Sequence, residues 1–155
     1  MAVVRTLVDG YSLLHQWPEL APGKPRQSQV AREELINHLT QYYDQCGTPI
    51  TVVFDGQGPR NDLGPFPSTP EVEIIYTRAA RSADQLIEHL VHRLKPHGDV
   101  LVVTDDYAER ETIESLGGLF SSCANFVQTV KAALADLTQE IAKYNQQEQL
   151  KFRSH

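Results

Sequence analysis

Val3-Val4-Arg5-Thr6-Leu7-Val8-Asp9-Gly10 opens the chain with a β-branched, mostly apolar run that stops at a carboxylate and a glycine. Apart from Arg5 the run is that of a buried strand, and Gly10 lets the chain turn out of it. The same punctuation recurs twice. Ile50-Thr51-Val52-Val53-Phe54 is followed by Asp55-Gly56, and Val100-Leu101-Val102-Val103 by Thr104-Asp105-Asp106. In an open α/β fold the C-terminal ends of parallel strands line one crevice, so acids carried by separate strands meet there. Carboxylates crowded together repel unless a cation joins them, and hard oxygen donors favour Mg²⁺ or Mn²⁺.

Between these strands the spacing changes to that of helices. Ser28 is a plausible cap for a helix in which Val30, Leu35, Leu39 and Tyr42/Tyr43 recur on one side until Gly47 and Pro49 stop it. Ser82 caps a second, whose stripe is Leu86, Ile87, Leu90, Val91 and Leu94. Val72–Tyr76 is predicted as a third strand, a short helix spans about Tyr107 to Leu116, and Leu119-Phe120 forms a short fifth strand. Phe126, Val130, Ala133/Leu134, Leu137, Ile141 and Tyr144 keep helical spacing to the polar run from Gln146. Two stretches rich in Pro and Gly, Gln16–Gln27 and Gly56–Pro70, read as loops near the crevice.

Strands alternating with helices predict an α/β fold of three layers, with helices on both faces of a mainly parallel sheet of about five strands. At 155 residues, 41% hydrophobic and 22% charged, the chain is the size of one domain with a core of its own. We expect that domain over residues 1–145 and a polar C-terminal tail over 146–155. Cys46 and Cys123 have no partners at ligand spacing, which argues against a zinc knuckle or a disulfide framework. The first residues lack the apolar core of a secretion signal, and no apolar run reaches membrane-spanning length, so a cytoplasmic protein without a membrane partner is expected. The net charge of −6 speaks weakly against a nucleic-acid partner, because an acidic centre contributes negative charge where ions would sit. Arg78 and Arg81 flank an acidic helix start, and Lys24, Arg26 and Arg60 lie in the loops, which together could form a phosphate-contacting rim.

Each acid has an ordinary reading beside the functional one. An Asp at a strand end often makes a turn or caps a helix, and for Asp55 before Gly56 the two readings are even. Asp9 follows the longest β-branched run, where the first strand of an α/β sheet meets its ligand, and function outweighs turn chemistry there. Asp84 and Glu88 share one face near a helix start, where the dipole also favours acids. With Leu86, Ile87 and Leu90 in the core, Asp84 would stand at the crevice edge within reach of Asp9. Of Asp105 and Asp106, one would enter the cup and the other would cap the next helix. Tyr11, Ser12 and Thr104 add hydroxyls. Phosphate-loop, dinucleotide-binding and serine-elbow motifs are absent.

Val8-Asp9-Gly10-Tyr11-Ser12-Leu13-Leu14, Trp17-Pro18-Glu19-Leu20, Val52-Val53-Phe54-Asp55, the Ser82-Ala83-Asp84-Gln85-Leu86-Ile87-Glu88 core and Val102-Val103-Thr104-Asp105-Asp106 resemble, in this order and over about residues 3–134, the YacP-like NYN-domain ribonucleases of the PIN-like superfamily. The resemblance implies a PIN-like α/β/α fold and endoribonuclease activity with one or two Mg²⁺ or Mn²⁺ ions held by aspartates. Asp9 matches the family's first-strand acid, Asp84 its helix acid and Asp106 the acid of its Thr-Ser-Asp-type motif, with Asp105 where a small polar residue is common. These three are the expected catalytic and metal-holding residues. Asp55 matches the acid after strand two and is expected to support them, with Ser12, Glu88, Thr104 and Asp105. Tyr11, Arg78 and Arg81 are the expected substrate contacts. Ser12 departs from the family's Asn, with shorter reach and no amide.

The expected function is hydrolysis of RNA phosphodiester bonds, with mRNA or ribosome-associated RNA as candidate substrates, by a monomer or weak homodimer. The alternative is a catalytically weak or inactive module of the same fold that binds RNA or the ribosome, its acids kept for capping and turns.

Overall fold

The computed structural model describes residues 2–56, 68–78 and 81–153. Most of the Gly56–Pro70 loop, with Arg60, lies outside the described residues. Five strands, β1 (Val3–Asp9), β2 (Ile50–Phe54), β3 (Val72–Tyr76), β4 (Asp99–Val103) and β5 (Leu119–Ser121), form one sheet in the order β3-β2-β1-β4-β5. Every neighbouring pair is parallel. From β1 the chain builds outward through β2 to β3, then crosses back to lay β4 on the other side of β1. The direction of building reverses between β1 and β4, and in such sheets the crevice beyond the strand ends at this reversal is where ligands bind.

Both faces of the sheet are apolar, so the strands do not alternate polar with apolar but send successive residues into two cores. Val8, Val52, Phe54 and Val103 pack on one face with Leu13, Leu14, Leu35, Leu39, Phe126 and Val130, which come from α1 (Gly10–His15), α2 (Gln29–Cys46) and α5 (Cys123–Arg153). Leu7, Val53, Val100 and Val102 pack on the other with Ile87, Val91 and Ile113, from α3 (Ala83–Leu94) and α4 (Tyr107–Ser115). This is the expected three-layer α/β/α arrangement.

Caps set where the helices begin. The Ser28 side chain accepts from the Ala31 amide at 3.2 Å, and Gly47 closes α2 at φ 76°, a left-handed conformation that glycine adopts without strain. Ser82 and Gln85 cap α3 reciprocally, each side chain accepting from the other's backbone amide at 3.2 Å.

The structure adds three details to the sequence reading. Gly10 does not lead into an open loop but starts α1, a helix of six residues capped by Asp9. The Gln16–Gln27 segment contains a 3-10 turn at Pro18–Leu20, which buries Leu20 beside Trp17. Finally, α5 continues through the polar residues to Arg153, because the segment holds no Gly or Pro to stop it and Gln, Glu and Lys are good helix formers.

Candidate active site

Asp9 closes β1 and caps α1. Ser12 Oγ donates to Asp9 Oδ2 at 2.8 Å and the Ser12 amide to Oδ1 at 3.4 Å. Ser12 therefore orients this carboxylate through both its hydroxyl and its amide. Burial raises the Asp9 pKa, and the nearby Asp55 charge raises it further, against hydrogen bonds from Ser12 and from the Thr104 side chain that favour the charged form. Asp55 is exposed and accepts from the Thr77 hydroxyl at 2.8 Å.

Thr104 is fully buried at the end of β4. Its hydroxyl also accepts from the Asp106 amide at 3.2 Å. The two acids after it part company, but not in the way expected. Asp106 both faces the cluster and caps α4, its Oδ1 accepting from the Ala108 and Glu109 amides at 3.0 and 3.3 Å. Asp105 turns to another helix altogether, and its Oδ1 accepts from the Cys123 amide, the first of α5, at 2.9 Å. A strand end that feeds two helix starts in different layers needs an acceptor for each, which is why both acids cap. Beside Asp105 the buried Cys123 thiol is pushed far up in pKa by burial and by that charge, which makes it inert.

Asp84, in the first turn of α3, joins the other two. Its carboxyl is pushed up to about 6, by burial first and then by the charges of Asp9, Asp106 and Glu88. Acids from β1, α3 and the β4–α4 junction therefore share one electrostatic environment.

Glu109 escaped the sequence reading. It is 6% exposed, and burial, a hydrogen bond with Glu88 and the charges of Asp84, Glu88 and Asp106 push its pKa up to about 8. Its Oε1 is buried without a hydrogen-bond partner. The signal was present: Glu109, Ile113 and Leu116 stand at i, i+4 and i+7, so the stripe that turns α4 to the sheet includes a carboxylate.

At the rim, Arg78 and Arg81 are exposed, and the Arg81 amide donates to the Arg78 carbonyl at 2.9 Å in the turn before α3. Tyr11 is less free than a rim residue: its ring packs on Phe54 at 5.1 Å, and its hydroxyl accepts from Arg32 Nη1 at 3.4 Å. Tyr107, next to Asp106, is 75% exposed.

The donors suit a hard divalent cation in kind, since all are carboxylate oxygens under mutual repulsion and one is buried without a partner. Among the described residues, no three Asp, Glu, His or Cys side chains stand close enough together to hold one ion as arranged. The acids form an open cluster.

A parallel α/β/α domain with acids gathered at the reversal of strand order has the frame of the PIN-like nucleases. Over residues 6–155 the sequence matches the family profile described as YacP-like NYN domain, and the chain belongs to that family. It is 30% identical over 138 residues to the Bacillus subtilis (strain 168) protein described as "Uncharacterized protein YacP", covering 88% of this chain and 81% of that one. The crystal structure of Rae1 (YacP) from Bacillus subtilis superposes with a TM-score of 0.79 at 28% identity, covering 96% of this chain and 84% of the other. A tryptophan-to-leucine mutant of the same protein gives 0.76 at 29% identity, covering 91% and 83%. Membership supports a nuclease-type, RNA-related role. No helix among the described residues is long and apolar enough to cross a membrane.

Proposed function

We propose that this protein is a divalent-metal-dependent endoribonuclease that hydrolyses RNA phosphodiester bonds. The observation that carries the reading is Asp84: a carboxyl on a helix start, pushed up to about 6, with the charges of Asp9 and Asp106 among the causes. Like charges are rarely gathered where nothing is to be held, and perturbed acids in a cleft mark functional sites. Asp9, Asp84 and Asp106 would hold Mg²⁺ or Mn²⁺. When bound, such an ion polarises a phosphodiester and acidifies water for attack. The chain supplies orientation: Ser12 and Thr104 fix the Asp9 carboxylate, and the amides of Ala108 and Glu109 fix that of Asp106. Arg78 and Arg81 would neutralise backbone phosphates, and Tyr107 would offer a face for an unpaired base.

Asp9→Asn and Asp84→Asn are each expected to lower metal-dependent cleavage of a single-stranded RNA by at least about a hundredfold, with the far-ultraviolet circular dichroism spectrum kept. Undiminished cleavage by both variants refutes the assignment.

A second reading, an inactive module that binds RNA, draws on the capping: Asp9, Asp105 and Asp106 each hold a helix start. A thermal melt separates the two, because an ion that binds only the folded state raises its melting temperature. A rise with millimolar Mn²⁺ over EDTA supports the first reading, and none supports the second.

A further inference from the structure

Arg32 lies near the start of α2. That helix of 18 residues ends at Cys46, just before β2 begins at Ile50, so its start lies at the other end of the sheet, where the strands finish and the crevice opens. The guanidinium is half-buried. Its Nη1 donates to the Gln27 carbonyl at 2.7 Å and to the Tyr11 hydroxyl at 3.4 Å. Both acceptors are neutral, and among the described residues Arg32 makes no ion pair. A guanidinium drawn partly out of water is ordinarily matched by an anion, because its planar fork of donors fits two oxygens of a carboxylate or a phosphate. Here Nε and Nη2 keep their donors without an acceptor among the described residues.

Tyr11 completes the arrangement. Its ring is held against Phe54, and its oxygen accepts from Arg32, so its own O–H proton is left to give, with no acceptor among the described residues. A hydroxyl that accepts from a cation is polarised into a better donor. The two side chains together therefore offer one charged and one neutral donor and lack the anion. They stand beside the candidate site, since Tyr11 belongs to α1, the helix that Asp9 caps.

We propose that Arg32 and the Tyr11 hydroxyl bind a backbone phosphate of the RNA strand on the α2 side of the crevice. The inference rests on the ribonuclease reading above and adds the strand's course to it. Arg78 and Arg81 precede α3, which packs on the opposite face of the sheet. A strand gripped at both places crosses from one helical layer to the other over the end of β1, where Asp9 stands.

The test is the Mn²⁺-dependent cleavage of a labelled single-stranded RNA, with kcat and KM measured over a series of KCl concentrations for the wild type and Arg32→Gln. Loss of one phosphate contact is expected to raise KM about tenfold at low salt with kcat kept within about twofold, and to make the fall of log(kcat/KM) with log[KCl] shallower by about 0.7. Arg32→Lys keeps the charge and is expected to restore the slope, while Tyr11→Phe raises KM and leaves the slope as it was. Arg93→Gln, exposed in the last turn of α3 at the far end of the sheet, is expected to match the wild type. An unaltered slope in Arg32→Gln, with a lower melting temperature and a lower kcat, is what a purely structural arginine gives, and it overturns the inference. If Asp84→Asn abolishes cleavage and Arg32→Gln keeps both KM and slope, the ribonuclease reading stands and only this assignment falls. No metal-dependent cleavage by the wild type overturns both. Should Arg32→Gln fail to fold, modification of the wild type by phenylglyoxal decides: shielding of Arg32 by the RNA supports the proposal, and equal modification with and without RNA overturns it.

Discussion

Ser12 is the residue whose role the sequence left most open and the geometry makes plainest. Its hydroxyl is 2.8 Å from Asp9 Oδ2, close enough to fix the carboxylate. Removing a hydrogen bond that orients an ion-holding group typically weakens binding or activity more than it weakens the fold. Ser12→Ala is therefore expected to lower metal-dependent cleavage about tenfold while costing about 1 kcal/mol of stability, read from the cleavage rate and from urea unfolding. Equal rates for variant and wild type would remove Ser12 from the site. The acids at strand ends were legible because each closes a β-branched run, and the ends of parallel strands meet at one crevice. Glu109 was not, because Glu is an ordinary helix residue, and only the packing of α4 on the sheet decides that this one faces inward. Nor could sequence alone divide Asp105 from Asp106, since the capping of α5 by Asp105 depends on a helix that begins 18 residues later.

Among the elements, α1 carries the clearest lesson. Six residues are too few for periodicity to show, and a glycine at a helix start reads as a turn. Yet Gly10 is required where it stands, for a Cβ there would lie 2.4 Å from the Phe54 ring, and that ring is fully buried between Tyr11 and Tyr76. Overpacking of this kind costs roughly 1–3 kcal/mol. Gly10→Ala is expected to lower unfolding stability by that amount and, by shifting α1 against Asp9, to weaken Mn²⁺ binding as well; a variant as stable as the wild type would show that the ring moves aside freely. The longer elements were readable because capping residues and apolar stripes agree: Ser28 and Ser82 cap the helices predicted for them. The apolar stripe of α5 was legible to Tyr144. Beyond that residue the apolar stripe gives out, and Ile141, Tyr144 and Leu150 are 53%, 62% and 57% exposed.

At the scale of the whole molecule, the parallel sheet and its two helical layers follow from strands that are apolar on both faces. The strand order does not, since β1 could neighbour either flanking strand until the crossovers are known. The carboxylate cluster that this order assembles has a consequence for stability. Asp84 moves from 3.8 to about 6 and Glu109 from 4.5 to about 8, so the folded state holds protons that the unfolded chain has released. Stability from these groups is full below their unfolded values and is lost as pH rises through the folded ones. In EDTA the melting temperature is expected to fall between about pH 5 and pH 8, less steeply in Glu109→Gln. Saturating Mn²⁺ should oppose the decline, because the ion takes up deprotonated carboxylates. Identical slopes for variant and wild type would show that the buried glutamate does not set the dependence.

Asp105 and Asp106 are one peptide apart, yet they fasten the beginnings of two helices in opposite layers. The strand end thus works as a clasp, with both helix starts tied to one peptide unit, and a single residue inserted between the two carboxylates is expected to leave one of them without its acceptor. The backbone beside Asp106 is therefore anchored to both layers at once.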